Sequence, residues 1–264
     1  MTRPQTPTVV LLHALSLDSS MWRPQRHALE RRGLRVLAFD QRGFGGAPLG
    51  ADPPSLDTVA EDLAAALDAG GHGRVVLVGS SMGGYVAMRF LRHHAHRVDG
   101  LVLTGTRASA DSAAAAAGRE GFARTMTDDR LRPELIAKTT PLLLGATTRA
   151  ERPEVLTRLL DEVTAASPAA VAWAQRAVAA RPDSFDVLRA TTVPALVIAG
   201  AEDELVPPDE AQRMAAALPR GRLVTVERAG HLTPLEAPDV FTGALTRLLD
   251  DIAGHETLPE GHTC

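Results

Sequence analysis

The run Val75–Tyr85, Val-Val-Leu-Val-Gly-Ser-Ser-Met-Gly-Gly-Tyr, restricts the possible folds more than any other stretch of the chain. Four apolar residues, mostly β-branched, read as a short buried strand. Gly79–Gly83 follows as a G-x-S-x-G pentapeptide, and a helical pattern opens at once with Val86, Phe90 and Leu91 on one face. A strand, a tight turn and a helix in that order give the pentapeptide a mechanical meaning. The turn is so sharp that its central residue is strained and the residues two before and two after it must be small, as Gly79 and Gly83 are. Ser81 is then pushed out above the sheet, at a helix start whose positive dipole end faces a developing anion. That makes Ser81 a candidate nucleophile. The alternative is a glycine-rich turn in which the serine merely caps the helix.

The rest of the chain repeats the alternation of strand and helix. Apolar runs at Thr8–Leu12, Arg35–Phe39, Leu101–Thr104, Pro194–Ala199 and Arg222–Val226 join Val75–Val78 as predicted strands. Ser55–Ala69 reads as a helix, with Ser55 as N-cap, Val59, Leu63 and Leu67 at helical spacing, and Gly70-Gly71 as the stop. From Ala108 to Ala190 the pattern is helical with no convincing strand, in segments at Ala113–Thr127, Glu134–Ala137, Pro153–Thr164 and from Ser167-Pro168 onward. Helices at Pro208–Leu218 and Pro238–Ile252 close the order. This predicts an α/β fold, a mostly parallel sheet of about six strands with helices on both faces. Functional sites in such sheets gather at the carboxyl ends of the strands. His13, Asp40, Ser81, Asp203 and His231 each follow a predicted strand, so they point at one crevice.

A serine hydroxyl needs a base to take its proton, and the base needs a partner that fixes its tautomer and stabilises its cation. His231, in Ala229-Gly230-His231-Leu232, is the best base. Asp203 is the best acid, with Glu202 and Glu204 as rivals on the same loop. Two backbone N–H groups are needed for an oxyanion, one from Met82 after the nucleophile and one from Leu15 in the loop after the first strand.

With these pieces assembled, the chain resembles an α/β-hydrolase along nearly its whole length. The matching pieces are Leu12–Leu15 with Met21-Trp22, Phe39–Gly45, Gly79–Gly83, Gly200–Pro208, and Gly230-His231 with Glu236 and Pro238. The His-Ala-Leu…Met-Trp segment is most similar to the small esterase and enol-lactonase branch. The resemblance implies Ser81 as nucleophile, Asp203 as acid and His231 as base. It makes residues 1–107 and 191–254 the hydrolase core and 108–190 a helical lid insertion, leaving 255–264 as a flexible tail. It implies a serine hydrolase acting on a carboxylic ester or lactone, without cofactor or metal. Two features depart from the family pattern: Ala14 stands where glycine is usual, and only a few residues precede the first strand, so an N-terminal hairpin is not expected. The short start is shared with hydroxynitrile-lyase relatives, which keeps carbon–carbon cleavage as the alternative, along with a receptor that turns over once. Dehalogenases and epoxide hydrolases of the family carry aspartate at position 81 and are excluded by the serine.

Other features have milder readings. Asp40 is expected to hold a turn and His13 to fix the loop that carries Leu15. His93, His94 and His96 end a helix without a carboxylate or cysteine at ligand spacing, so they are expected on the surface rather than around a metal. Trp173, Phe122, Met126 and Leu143 in the helical segment are candidates for the substrate pocket. A net charge of −4 gives no reason to expect a nucleic acid partner. The lone cysteine, Cys264, rules out a disulfide within the chain. No stretch approaches the ~18–20 apolar residues of a membrane span. The N-terminal residues lack the apolar core of a signal peptide, which predicts a cytoplasmic protein; a monomer or homodimer is expected.

Overall fold

A computed structural model describes residues 7–256. All six predicted strands are present, as β1 (Thr8–Leu12), β2 (Val36–Phe39), β3 (Val75–Ser80), β4 (Val98–Thr104), β5 (Ala195–Gly200) and β6 (Gly221–Val226). They form one sheet in the order β2-β1-β3-β4-β5-β6, and every neighbouring pair is parallel. β1 and β3 run through the middle in register, Leu12 opposite Gly79, and Val9–Leu12 and Val75–Val78 are fully buried. Continuous burial on both faces is why these segments read as unbroken apolar runs rather than alternating ones.

The helices are α1 (Arg23–Arg31), α2 (Leu56–Ala69), α3 (Met82–His94), α4 (Ala113–Met126), α5 (Arg132–Thr139), α6 (Ala146–Glu151), α7 (Pro153–Ala165), α8 (Pro168–Ala179), α9 (Phe185–Ala190), α10 (Pro208–Ala217), α11 (Thr233–Glu236) and α12 (Pro238–Glu256). α1 and α12 pack together on one side of the sheet, with α12 lying along β4, β5 and β6. α2 packs on α3, and α9 bridges α3 to α10, which covers β5 and β6 from the other side. Gly100 in β4 makes room for Ile252 of α12, whose Cδ1 lies 2.5 Å from where a Cβ would stand. Ser55 caps α2 as expected, its hydroxyl accepting from the Asp57 N–H at 3.2 Å. Such a cap is worth about 1 kcal/mol.

Three short helices, α6, α9 and α11, are not evident in the sequence, because a single turn or two carries too little periodicity. α5 is longer than its apolar pattern indicates, and a 3₁₀ turn at Thr140–Leu143 carries the chain through Pro141. α12 continues past Ile252 to Glu256, so the polar segment after Ile252 begins as helix. The rest of the expected tail, 257–264 with Cys264, lies outside the described residues.

Between β4 and β5 the chain passes through α4 to α9. The Ser184 N–H donates to the Ala108 carbonyl at 2.8 Å, so the two ends of this segment meet. α4 lies against α8, and α5 and α7 pack on each other. Because β2 follows β1 outward and β3 returns to its other side, the chain reverses direction across the sheet at β1 and β3. Diverging connections leave a crevice at the carboxyl ends of those two strands.

Candidate active site

Ser81 occupies that crevice. Its backbone has φ 51° and ψ −113°, a strained conformation for a residue with a side chain. The sharp turn is possible only because nothing projects from its neighbours. A Cβ on Gly79 would stand 2.5 Å from the Gly83 carbonyl oxygen, and one on Gly83 would overlap the Leu12 carbonyl of β1. The Ser81 N–H is tied to the Thr104 carbonyl at 2.9 Å. Its hydroxyl makes no cap bond to α3, which removes the capping interpretation. Ser81 Oγ instead lies 2.9 Å from His231 Nε2.

His231 is buried on the loop between β6 and α11. Gly105, at φ 55°, lets this loop approach β4: the His231 carbonyl oxygen lies 2.5 Å from where a Gly105 Cβ would be. Glu236 holds the same loop from the other side. Its buried carboxylate accepts from the N–H groups of Gly145 at 2.7 Å, Gly230 at 2.9 Å and Leu232 at 3.2 Å. Glu236 is among the residues that carry the family resemblance, but its use as a clamp depends on Gly145, which is distant in sequence.

Asp203 lies 3.0 and 3.2 Å from His231 Nδ1 through its two carboxylate oxygens. Its Oδ1 also accepts the N–H groups of Leu205 and Val206 at 2.8 and 3.0 Å. Burial pushes the Asp203 carboxyl up, but the hydrogen bond and charge of His231 and the two N–H donors outweigh it and hold the pKa below the usual value. The rival acids point elsewhere. Glu202 is taken by Thr147, through its N–H at 2.8 Å and its hydroxyl at 2.5 Å, and Glu204 pairs with Arg149 at 2.8 Å.

Leu15 and Met82 both line the cavity above Ser81. Among the described residues neither backbone N–H finds an acceptor in the protein. His13 stands behind Leu15, fully buried. The Gln41 N–H donates to its Nε2 at 2.9 Å, so Nδ1 carries the proton and donates to the Ala14 carbonyl at 2.8 Å. Burial pushes the His13 pKa down, in keeping with a neutral ring that orders the loop. Asp40 accepts from the Ser19 N–H at 2.7 Å and holds the turn before α1. His93 and His94 pair with Asp57 and Glu61, and no cluster among the described residues could hold a metal ion.

The cavity measures about 330 Å³, and its outer wall comes from the segment between β4 and β5. Phe122 of α4, Leu143 of the 3₁₀ turn, Val163 of α7 and Val178 of α8 face it. Two pocket candidates do not. Trp173 packs in the core and donates its indole N–H to the Asp52 carbonyl at 2.9 Å, while Met126 is buried among apolar neighbours. Helical spacing identifies the apolar stripe of α4 and α8 but not which part of it meets the cavity. The sequence reading also passed over Arg107, Arg119, Gln175 and Tyr85, which are also in the lining. Arg107 follows the end of β4, so the strand-end rule that found the other residues was available for it too.

A model of the family described as the alpha/beta hydrolase fold matches residues 7–238. A protein of Variovorax paradoxus, provisionally named a carbamate hydrolase, is 31% identical over 91% of this chain and 91% of its own. Among solved structures, a thermophilic esterase from Thermogutta terrifontis is 36% identical, with 93% of this chain and 90% of that one covered and a TM-score of 0.88. An enol-lactonase from Burkholderia xenovorans LB400 is 28% identical, with 94% and 92% covered and a TM-score of 0.84. No helix among the described residues is long and apolar enough to cross a membrane.

Proposed function

The chain belongs to the alpha/beta hydrolase fold family, and from that membership we propose that it is a serine hydrolase cleaving a carboxylic ester or lactone. Ser81 Oγ attacks the carbonyl carbon as His231 Nε2 takes its proton. Asp203 keeps the imidazole in the tautomer that can do so and stabilises the imidazolium that forms. The Leu15 and Met82 N–H groups receive the oxyanion, each such donor being worth about 10²–10³ in rate. The alcohol leaves with the proton from His231, and an acyl group remains on Ser81. Water, deprotonated by the same histidine, releases the acid and restores the serine. The segment 108–190 acts as a lid whose side chains shape the acyl pocket.

The observation that carries this reading is the unbroken chain from Ser81 Oγ to His231 Nε2 at 2.9 Å and from His231 Nδ1 to Asp203 at 3.0 Å, opening on an apolar cavity. Short p-nitrophenyl esters and simple lactones test it, with wild type compared against Ser81→Ala. Hydrolysis that depends on Ser81 supports the reading; equal rates for the two proteins overturn it. The likeness to the Variovorax protein favours carbamates as a second class, since a carbamate carbonyl offers the same tetrahedral path. An aryl carbamate in the same panel separates the two by relative kcat/KM.

A further inference from the structure

The cavity over Ser81 is mostly apolar, but Arg107, Arg119, Gln175 and Tyr85 are also in its lining. No carboxylate lines it. The charge of Arg119 is already engaged: its Nε donates to Asp111 at 2.5 Å and its Nη1 to Gln175 Oε1 at 2.9 Å. Asp111 is shared with buried Arg181 at 2.8 Å, and the Arg181 guanidinium lies 4.2 Å over the Tyr85 ring. Two arginines therefore share one carboxylate at this wall. Among the described residues Arg107 pairs with no carboxylate, and its guanidinium donates only to the Leu205 carbonyl, which leaves it without an ion-pair partner.

A half-buried guanidinium in an apolar wall has lost part of its hydration and gains most from an anionic partner. Its planar fork matches a carboxylate in shape and charge. Its position is also informative. Arg107 lies two residues beyond Gly105, which abuts His231, and it bonds Leu205, two residues beyond Asp203. Arg107 therefore lines the same cavity as Ser81 and His231.

We infer that Arg107 reads a carboxylate on the substrate, so that the preferred ester or lactone carries a free acid group a short chain away from the scissile carbonyl. This rests on the proposed hydrolase reading only in taking the cavity as the substrate pocket. Arg119 with Gln175 completes the polar lining, adding positive field without a free charge of its own.

Binding to Ser81→Ala tests the inference without relying on turnover. Calorimetric titration with monomethyl glutarate and with dimethyl glutarate compares a charged with a neutral ester. The charged ester is expected to bind roughly tenfold or more tightly, the usual gain from a charge-assisted pair. Adding Arg107→Gln should erase the difference, and Arg107→Lys should keep part of it. Equal affinity for the two esters overturns the inference, as does a preference that survives Arg107→Gln. If Arg107→Gln does not fold, the comparison with Arg107 in place decides alone, and the preference should shrink as salt is raised. In the wild type, p-nitrophenyl hemiglutarate against p-nitrophenyl valerate places the acid on the acyl side, and para-acetoxybenzoate against phenyl acetate places it on the alcohol side. Hydrolysis that depends on Ser81 but favours neither charged ester overturns the inference and leaves the hydrolase. A binding preference without any hydrolysis does the reverse.

Discussion

His231 Nε2 lies 2.9 Å from Ser81 Oγ although 150 residues separate them in sequence. Neither residue is held by the other. Ser81 is fixed by the turn between β3 and α3, and His231 by Gly105 and the Glu236 clamp. Their meeting is a property of the sheet and its loops, so substitutions at either residue should affect chemistry more than folding.

The strain at Ser81 gives a test of that separation. Ser81→Gly removes the side chain from a backbone at φ 51°. It should abolish ester hydrolysis while raising stability by about 1 kcal/mol, since glycine tolerates the conformation at a modest entropic cost. Urea denaturation of the two proteins measures it. A less stable Ser81→Gly would show that the turn is not strained.

Asp203 and its neighbours should differ sharply. Asp203→Asn leaves the geometry but spoils the histidine tautomer, and kcat should fall by about 10⁴. Glu204→Gln breaks an exposed pair with Arg149 and should leave kcat within about threefold, because such pairs contribute ~0–1 kcal/mol. Steady-state kinetics on one ester with both variants checks this.

Glu236 should matter for stability through the backbone it satisfies. Glu236→Ala leaves the N–H groups of Gly145, Gly230 and Leu232 without their acceptor in a buried place. A loss of about 3 kcal/mol is expected, with a fall in kcat as the His231 loop loosens. Thermal unfolding and kinetics together test it, and unchanged unfolding would contradict the clamp.

Acid sensitivity should trace in part to Asp111. Burial pushes this carboxyl up, but the charges and hydrogen bonds of Arg119 and Arg181 outweigh it and hold its pKa below the usual value. A carboxyl lowered on folding stabilises the protein above its unfolded pKa near ~3.9, and that contribution is lost as pH falls through the lower folded value. Asp111→Asn should be less stable at pH 7 by about 3 kcal/mol, having broken the buried pair with Arg181. The gap between wild type and variant should narrow as pH drops below about 4. Unfolding midpoints across that range measure it.

Phe122 and Trp173 of the helical segment should separate by function. Phe122→Ala enlarges the cavity and should shift preference toward bulkier acyl groups, while Trp173→Phe, whose indole bonds Asp52 outside it, should leave chain-length preference unchanged. A series of p-nitrophenyl esters of increasing chain length reads both.

The sequence by itself determined the sheet and the turn at its centre. Central parallel strands buried on both faces, β1 and β3 above all, leave unbroken apolar runs, and a turn as sharp as Gly79–Gly83 leaves glycines where no side chain fits, so both are local signals. It also narrowed the acid to three neighbours on one loop. The sequence favoured Asp203 among them, but the physical reason lies in the tertiary structure, where Asp203 faces His231 while Glu202 and Glu204 are taken by Thr147 and Arg149 from the segment between β4 and β5. The same reason holds for the cavity. Helical periodicity tells which residues of α4 and α8 are buried, but Phe122 meets the cavity and Met126 does not because of how those helices are turned against the crevice. Arg107 looks in sequence like one arginine among many. That it pairs with no acid among the described residues comes only from the arrangement of distant elements around it, a long-range fact that no local pattern encodes.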